Sequence, residues 1–157
     1  DQVDLGEINQ ETFKNEVARR LGMTREALDE FRAQIYHHPH YIRKELVEVI
    51  EKLKKNYRVG MLSNYSGRTL RPILHEHKLE ALFDVIGISS EIGAVKPAAE
   101  AFDYVIEQLH CSRDEVLFVD DRASHIDAAR ALGIDAIHFT TTQKFIEDLH
   151  KRGIDAL

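Results

Sequence analysis

From about residue 57 onward, short apolar runs alternate with stretches in which apolar residues recur at helical spacing. Four runs have the length and apolar content of buried strands, namely Val59 to Leu62, Val85 to Ile88, Val116 to Val119 and Ala136 to Phe139. Helical spacing is found between these runs, in residues 70–74, 102–109 and 126–132. Strands that alternate with helices are typical of a doubly wound parallel sheet, and we therefore predict an α/β fold.

The N-terminal third of the chain carries helical periodicity and lacks a strand pattern. Apolar residues at helical spacing predict three helices there, the first through Phe13, Val17 and Leu21 and the last leading into the first strand. We therefore predict a small helical module in residues 1–40, attached to an α/β core in residues 41–157.

The composition is that of an ordinary globular domain. Of the 157 residues, 43% are hydrophobic and 31% are charged, which suits one domain with a sizeable core. The net charge of -6 provides no basic surface, so neither nucleic acid nor an anionic membrane is an expected partner. Cys111 is the single cysteine, which excludes an intrachain disulfide. Because no signal-peptide pattern and no apolar stretch of membrane-spanning length is present, we expect a cytoplasmic protein.

Two adjacent carboxylates, Asp120 and Asp121, follow the third apolar run. They stand at the carboxyl end of a predicted strand, which is the edge where open α/β sheets bind ligands. Neighbouring carboxylates repel each other unless a cation or a lysine lies between them, and hard oxygen ligands of this kind suit Mg²⁺. The alternative is a helix N-cap followed by a solvated loop.

Polar residues also follow the first apolar run and precede a predicted helix. Ser63 and Asn64 end the first run, where a hydroxyl and backbone N–H groups can hold a phosphate oxygen or simply form a turn. Lys96 is followed by Pro97, which keeps it out of the helix, so that its charge can neutralise phosphate and carboxylate together. Taken alone, a lysine in this setting is more often a solvated surface residue. The joint occurrence of these signals is more specific than any one of them.

These segments resemble motifs II, III and IV of the haloacid-dehalogenase-like hydrolase superfamily. The resemblance is carried by Leu62 to Asn64, by Gly93 to Pro97 with Phe102, by Phe118 to Arg122 and by Ala128 to Gly133. The N-terminal helices resemble the small helical cap of subfamily I of that superfamily. The resemblance implies the Rossmann-like core of these enzymes and a Mg²⁺-dependent hydrolase.

The resemblance also implies a role for each matching residue. Ser63 and the backbone of Asn64 would bind the transferring phosphoryl group, and Lys96 would stabilise its charge and orient the nucleophile as a catalytic residue. Asp120 and Asp121 would hold Mg²⁺, one of them through a water molecule. Phosphoryl transfer depends mainly on such positioning and charge neutralisation. The implied activity is a phosphatase of small phosphorylated metabolites that acts through an aspartyl-phosphate.

Two positions depart from the family pattern. The family's nucleophile is an aspartate on the first strand, in an Asp-x-Asp pattern, whereas Asp1 and Asp4 are three residues apart and precede helical sequence. We therefore assign no nucleophile and expect an N-terminal segment carrying motif I to complete the sheet. Its strand would lie between the strands that end near Ser63 and Asp120, so we expect either a slot there that this segment fills or an open and rearranged sheet. His125 stands where close relatives often have Asn.

Three other functions are alternatives to a phosphatase. A haloacid dehalogenase has the same fold without the metal, but the acid pair at Asp120 and Asp121 favours the phosphatase. A phospho-receiver domain carries its acid pair at the end of the first strand, whereas here only 36 residues follow Asp121, too few for the βα units that a receiver would still need. A non-catalytic binding module is expected if the nucleophile is naturally absent. Neither the substrate nor the oligomeric state is predicted.

Overall fold

The computed structural model describes residues 10–36 and 42–155, so Asp1 and Asp4 lie outside the described residues. Within these ranges the chain forms eight α-helices and four short strands. In chain order they are α1 (Gln10–Leu21), α2 (Arg25–Tyr36), α3 (Lys44–Leu53), β1 (Gly60–Ser63), α4 (Gly67–Glu76), β2 (Val85–Ile88), α5 (Ser89–Ile92), α6 (Ala99–Gln108), β3 (Leu117–Asp120), α7 (Ala123–Ala131), β4 (Asp135–His138) and α8 (Thr142–His150).

The first two helices pack against each other, and the third packs on the α/β layer. Helix α1 ends at Leu21 and is followed by Gly22, whose φ of +64° suits glycine, and the N–H of Met23 donates to the carbonyl of Ala18 at 2.9 Å. Val49 of α3 belongs instead to a hydrophobic cluster with α8 and β4. The predicted boundary at residue 40 falls in residues 37–41, which lie outside the described ranges, and it stays a prediction.

The four strands form two parallel pairs, as expected for an α/β fold. β1 pairs with β2, with Leu62 opposite Gly87, and β3 pairs with β4, with Asp120 opposite His138. The β2 strand agrees with the apolar run from which it was predicted, and the other strands are displaced from their runs by one residue. Helix α6 packs on β1 and β2, and α7 packs on β3 and β4.

A cavity separates the two strand pairs. Among the described residues, β1 pairs only with β2 and β3 only with β4, so no ladder of hydrogen bonds joins β1 to β3. The cavity between them has a volume of about 1010 Å³ and is lined by both strands and by α3, α6 and α8. The expected slot is therefore present between β1 and β3.

The helices cover the sheet with two hydrophobic clusters. One consists of Val49, Ile137, Phe145, Ile146 and Leu149, and the other of Phe102, Ile106, Ile126, Ala129, Ile134 and Ala136. Both clusters include a residue of β4 and pack against β3, and the second cluster also packs against Leu62 of β1. No helix in the described part of the chain has the length and apolar character needed to cross a membrane.

Candidate active site

Lys96 connects the carboxyl ends of β1 and β3. Its Nζ donates to the Oδ2 of Asp120 at 2.6 Å and to the carbonyl oxygen of Leu62 at 2.8 Å. The side chains of Lys96 and Asp120 are only 9% and 7% exposed, so this is a buried ion pair. The ammonium also lies 5.6 Å from the ring centre of Phe118. The structure thus brings Lys96 and Asp120 to the same edge of the sheet, as the sequence predicts.

The Asp120 carboxylate accepts hydrogen bonds on both oxygens. Besides the bond from Lys96 to Oδ2, its Oδ1 accepts from the backbone N–H of Arg122 at 2.8 Å and lies 3.0 Å from Nδ1 of His125. Burial acts to raise the pKa of Asp120, but the hydrogen bond from Lys96, the Arg122 N–H, the Lys96 charge and the His125 contact outweigh it, and the pKa is lowered. Asp120 is therefore held as the ionised carboxylate.

Asn64 fixes the loop that carries Lys96. Its Nδ2 donates to the carbonyl of Lys96 and its Oδ1 accepts from the N–H of Lys96, both at 2.8 Å. These paired bonds connect the loop after β1 to the loop before α6. The sequence suggested contact with phosphate through the Asn64 backbone, and that role stays a prediction. Ser63 is the last residue of β1 and is half-buried beside this junction.

Two serines that directly follow β2 hold the loop that follows β1, and sequence reasoning missed both. The Ser89 hydroxyl accepts from the N–H of Tyr65 at 3.0 Å and donates to its carbonyl at 3.2 Å. The Ser90 hydroxyl accepts from the N–H of Gly67 at 2.9 Å. Ser89 is completely buried. A pair of hydroxyl residues at a strand end was the available signal, because such residues commonly bond neighbouring backbone.

Asp121 differs from Asp120 in its surroundings. It is exposed, and its carboxylate has no hydrogen bond or ion pair to the described residues. Its backbone carbonyl lies 2.9 Å from Nε2 of His138, at the end of β4. A carbonyl oxygen only accepts, so that imidazole nitrogen carries the proton. The Asp121 carboxylate is therefore available to an external cation. Its backbone is fixed by the contact with His138 and by the hydrogen bond from the next residue, Arg122, to Asp120.

The donors at this edge fit Mg²⁺. In the described part of the chain, no group of three or more His, Cys, Asp or Glu side chains converges in the manner of a cage made wholly by the protein. Mg²⁺ commonly binds through one or two carboxylates and completes its shell with water and substrate phosphate. The carboxylate of Asp121, which is without a partner in residues 10–36 and 42–155, lies next to the ionised Asp120 and provides such a partial shell.

Comparison with known proteins agrees with this geometry. The profile of the family described as haloacid dehalogenase-like hydrolase matches residues 3–139. The chain belongs to this family of hydrolases. Its α/β fold, its parallel strands and the edge occupied by Lys96 and Asp120 are consistent with that membership.

Individual relatives and solved structures give more detail. The sesquiterpene phosphatase astK of Aspergillus oryzae is 30% identical over 96 residues, covering 60% of this chain and 49% of that protein. The D-ribitol-5-phosphate phosphatase of Bacteroides thetaiotaomicron is 34% identical over 95 residues, covering 57% of this chain and 46% of that protein. The chain thus spans about half the length of these curated relatives.

A solved structure from Bacteroides thetaiotaomicron, the family enzyme bt-2542 in complex with magnesium and inorganic phosphate, superposes with a TM-score of 0.74. It is 23% identical, and the alignment covers 88% of this chain and 71% of that one. This similarity supports the fold, since the identity is too low to transfer an activity.

Proposed function

We propose that this chain forms part of a Mg²⁺-dependent phosphatase that hydrolyses small phosphorylated metabolites in the cytoplasm. The observation that carries the proposal is the edge at which Lys96 is fixed to Asp120 at 2.6 Å, while the neighbouring Asp121 carboxylate is exposed and has no partner among the described residues. A fixed cation beside a free carboxylate offers one group for phosphate oxygens and one for a metal ion. The names of the two phosphatase relatives support the same reaction class.

Each residue at the edge has a role in this proposal. Asp121 would hold Mg²⁺ directly, and Asp120, whose oxygens already accept three hydrogen bonds, would act through a water molecule. Bound Mg²⁺ would neutralise charge on the phosphoryl oxygens. The Ser63 hydroxyl would donate to a phosphoryl oxygen, with the backbone of Asn64 beside it. Lys96 would neutralise charge that develops as the phosphoryl group is transferred.

The nucleophile is proposed to come from a strand that fills the slot between β1 and β3. Each of these strands has an edge without a partner strand in the described residues, and buried backbone groups without hydrogen bonds are costly. A strand paired with both would end between Ser63 and Asp120. An aspartate at that end would face Lys96 and attack the phosphorus of a phosphomonoester. The bond from phosphorus to the ester oxygen would break, the alcohol would leave, and water would then hydrolyse the aspartyl-phosphate to free phosphate. An N-terminal segment of the complete protein is the proposed source of this strand.

The proposal is tested with the complete protein and a panel of phosphomonoesters, measuring phosphate release with Mg²⁺ and with a chelator. We expect turnover that requires Mg²⁺. Asp121→Asn should weaken Mg²⁺ binding and turnover together, because one hard anionic ligand is removed. Asp127→Asn is the matched control, since Asp127 is an exposed carboxylate on α7. Chloride release from haloacids would indicate a dehalogenase, and the absence of both activities would indicate a non-catalytic module.

A further inference from the structure

A buried imidazole lies directly behind the proposed site. His125 is in the first turn of α7, and its side chain is 6% exposed. Its Nδ1 lies 3.0 Å from Oδ1 of Asp120, the carboxylate whose other oxygen accepts from Lys96. The chain thus forms a continuous series of contacts from His125 through Asp120 to Lys96.

Which nitrogen of His125 carries the proton follows from the charge of its partner, Asp120. Asp120 is the carboxylate of a buried ion pair with Lys96, and it accepts from both the Lys96 ammonium and the N–H of Arg122. An ionised carboxylate only accepts hydrogen bonds, so Nδ1 of His125 must carry the proton. His125 and Arg122 then both donate to Oδ1, and they determine the plane of the carboxyl group. That plane sets where Oδ2 lies, and therefore where the Lys96 ammonium is held.

We propose that His125 is a positioning residue, which orients Asp120 so that Lys96 is fixed at the phosphate-binding edge. The effect on turnover rests on the proposed function, whereas the hydrogen bond itself does not. A side chain that only filled space would be replaced adequately by another ring. A positioning residue needs a nitrogen donor attached at the γ carbon, which both histidine and asparagine provide.

The first test compares His125→Phe with His125→Asn in the complete protein. The phenylalanine ring fills a similar volume without a donor, while the asparagine Nδ2 can donate to Asp120. We expect His125→Phe to lower kcat about 10–100-fold with little change in KM, as for other residues that support a reacting group indirectly. His125→Asn should recover most of that loss. Wild-type turnover in His125→Phe, or an equal loss in both variants, would overturn the proposal.

The second test does not depend on activity. Proton–nitrogen correlation NMR of the wild-type complete protein reports which imidazole nitrogen of His125 is protonated. We expect protonated Nδ1, and protonation of Nε2 alone would overturn the proposal. The same spectra should show slowly exchanging Lys96 ammonium protons in the wild type and in His125→Asn. If His125→Phe does not fold, the proposal is decided by which nitrogen of His125 is protonated in the wild type and by the turnover of His125→Asn. If the wild type releases no phosphate, the proposed function fails, and the NMR result decides the hydrogen bond separately.

Discussion

Removal of the Lys96 charge is the perturbation whose effect on the free energy of unfolding follows most directly from the structure. In Lys96→Met the buried Asp120 carboxylate loses its ion pair and keeps two hydrogen bonds, from the Arg122 N–H and from His125. Breaking a buried ion pair by removing one partner typically costs about 3–5 kcal/mol, because the remaining charge stays buried. Because two hydrogen bonds to Asp120 are retained, we expect the free energy of unfolding to fall by about 3 kcal/mol, the lower end of this range. Most domains are stable enough to stay folded after a loss of this size.

The same substitution should change how stability depends on pH. In the wild type the pKa of Asp120 is lowered, so this carboxylate contributes stability above its unfolded-state pKa and loses it as the pH falls through the folded pKa. Without Lys96, the hydrogen bond that most strongly lowers this pKa is lost, whereas the burial that raises it remains. We therefore expect the stability of Lys96→Met to fall less steeply toward acid than that of the wild type.

The assay is urea unfolding of the complete protein, followed by circular dichroism at neutral pH and at several acidic values. Lys54→Met is the matched control, because Lys54 forms a 2.7 Å ion pair with Asp84 in which the two side chains are 31% and 38% exposed. A partly exposed pair is worth at most about 1 kcal/mol. Equal losses in the two variants, or an unchanged slope with pH in Lys96→Met, would refute the reasoning.

Two further substitutions test other contacts. Gly87→Ala would place a Cβ 2.7 Å from a methyl carbon of Val105 and 3.3 Å from a methyl carbon of Leu62. We therefore expect the free energy of unfolding in urea to fall by about 1–3 kcal/mol. Adding Val105→Ala should make the double variant less destabilised than the sum of the single changes, and strict additivity would contradict the clash. Asn64→Ala removes both bonds to the Lys96 backbone, and kcat should fall about 10–100-fold. Unchanged phosphate release by that variant would show that the lysine loop needs no such support.

The strands could be predicted because buried parallel strands have a distinctive sequence. Continuous apolar runs bounded by polar residues located all four to within one residue. Helix α5, of four residues, is too short to show a helical period, and it was missed. The pairing of strands was less accessible, since periodicity identifies a strand but does not specify its neighbour. The slot was expected from the family order of strands and not from the apolar pattern.

The candidate site was predictable in position more than in its contacts. Residues that follow parallel strands meet at one edge, which was enough to bring Lys96 and Asp120 together. The hydrogen bonds of Asn64 to a backbone 32 residues away depend on the exact path of two loops, which spacing alone does not give. His125 stood out in the sequence only as a departure from the family pattern. Its contact with Asp120 follows from the turn between β3 and α7.

The two strand pairs make the site and the core depend on each other. Ser63 ends β1 and Asp120 ends β3, and these strands share no backbone hydrogen bond among the described residues. Lys96 joins their ends through Leu62 and Asp120, while below that edge lies the cavity between the pairs. A strand in the cavity would pair with both β1 and β3, bury their apolar neighbours and fix the distance across the edge. The proposed nucleophile would arrive on that strand, so the step that completes the core would also complete the catalytic site.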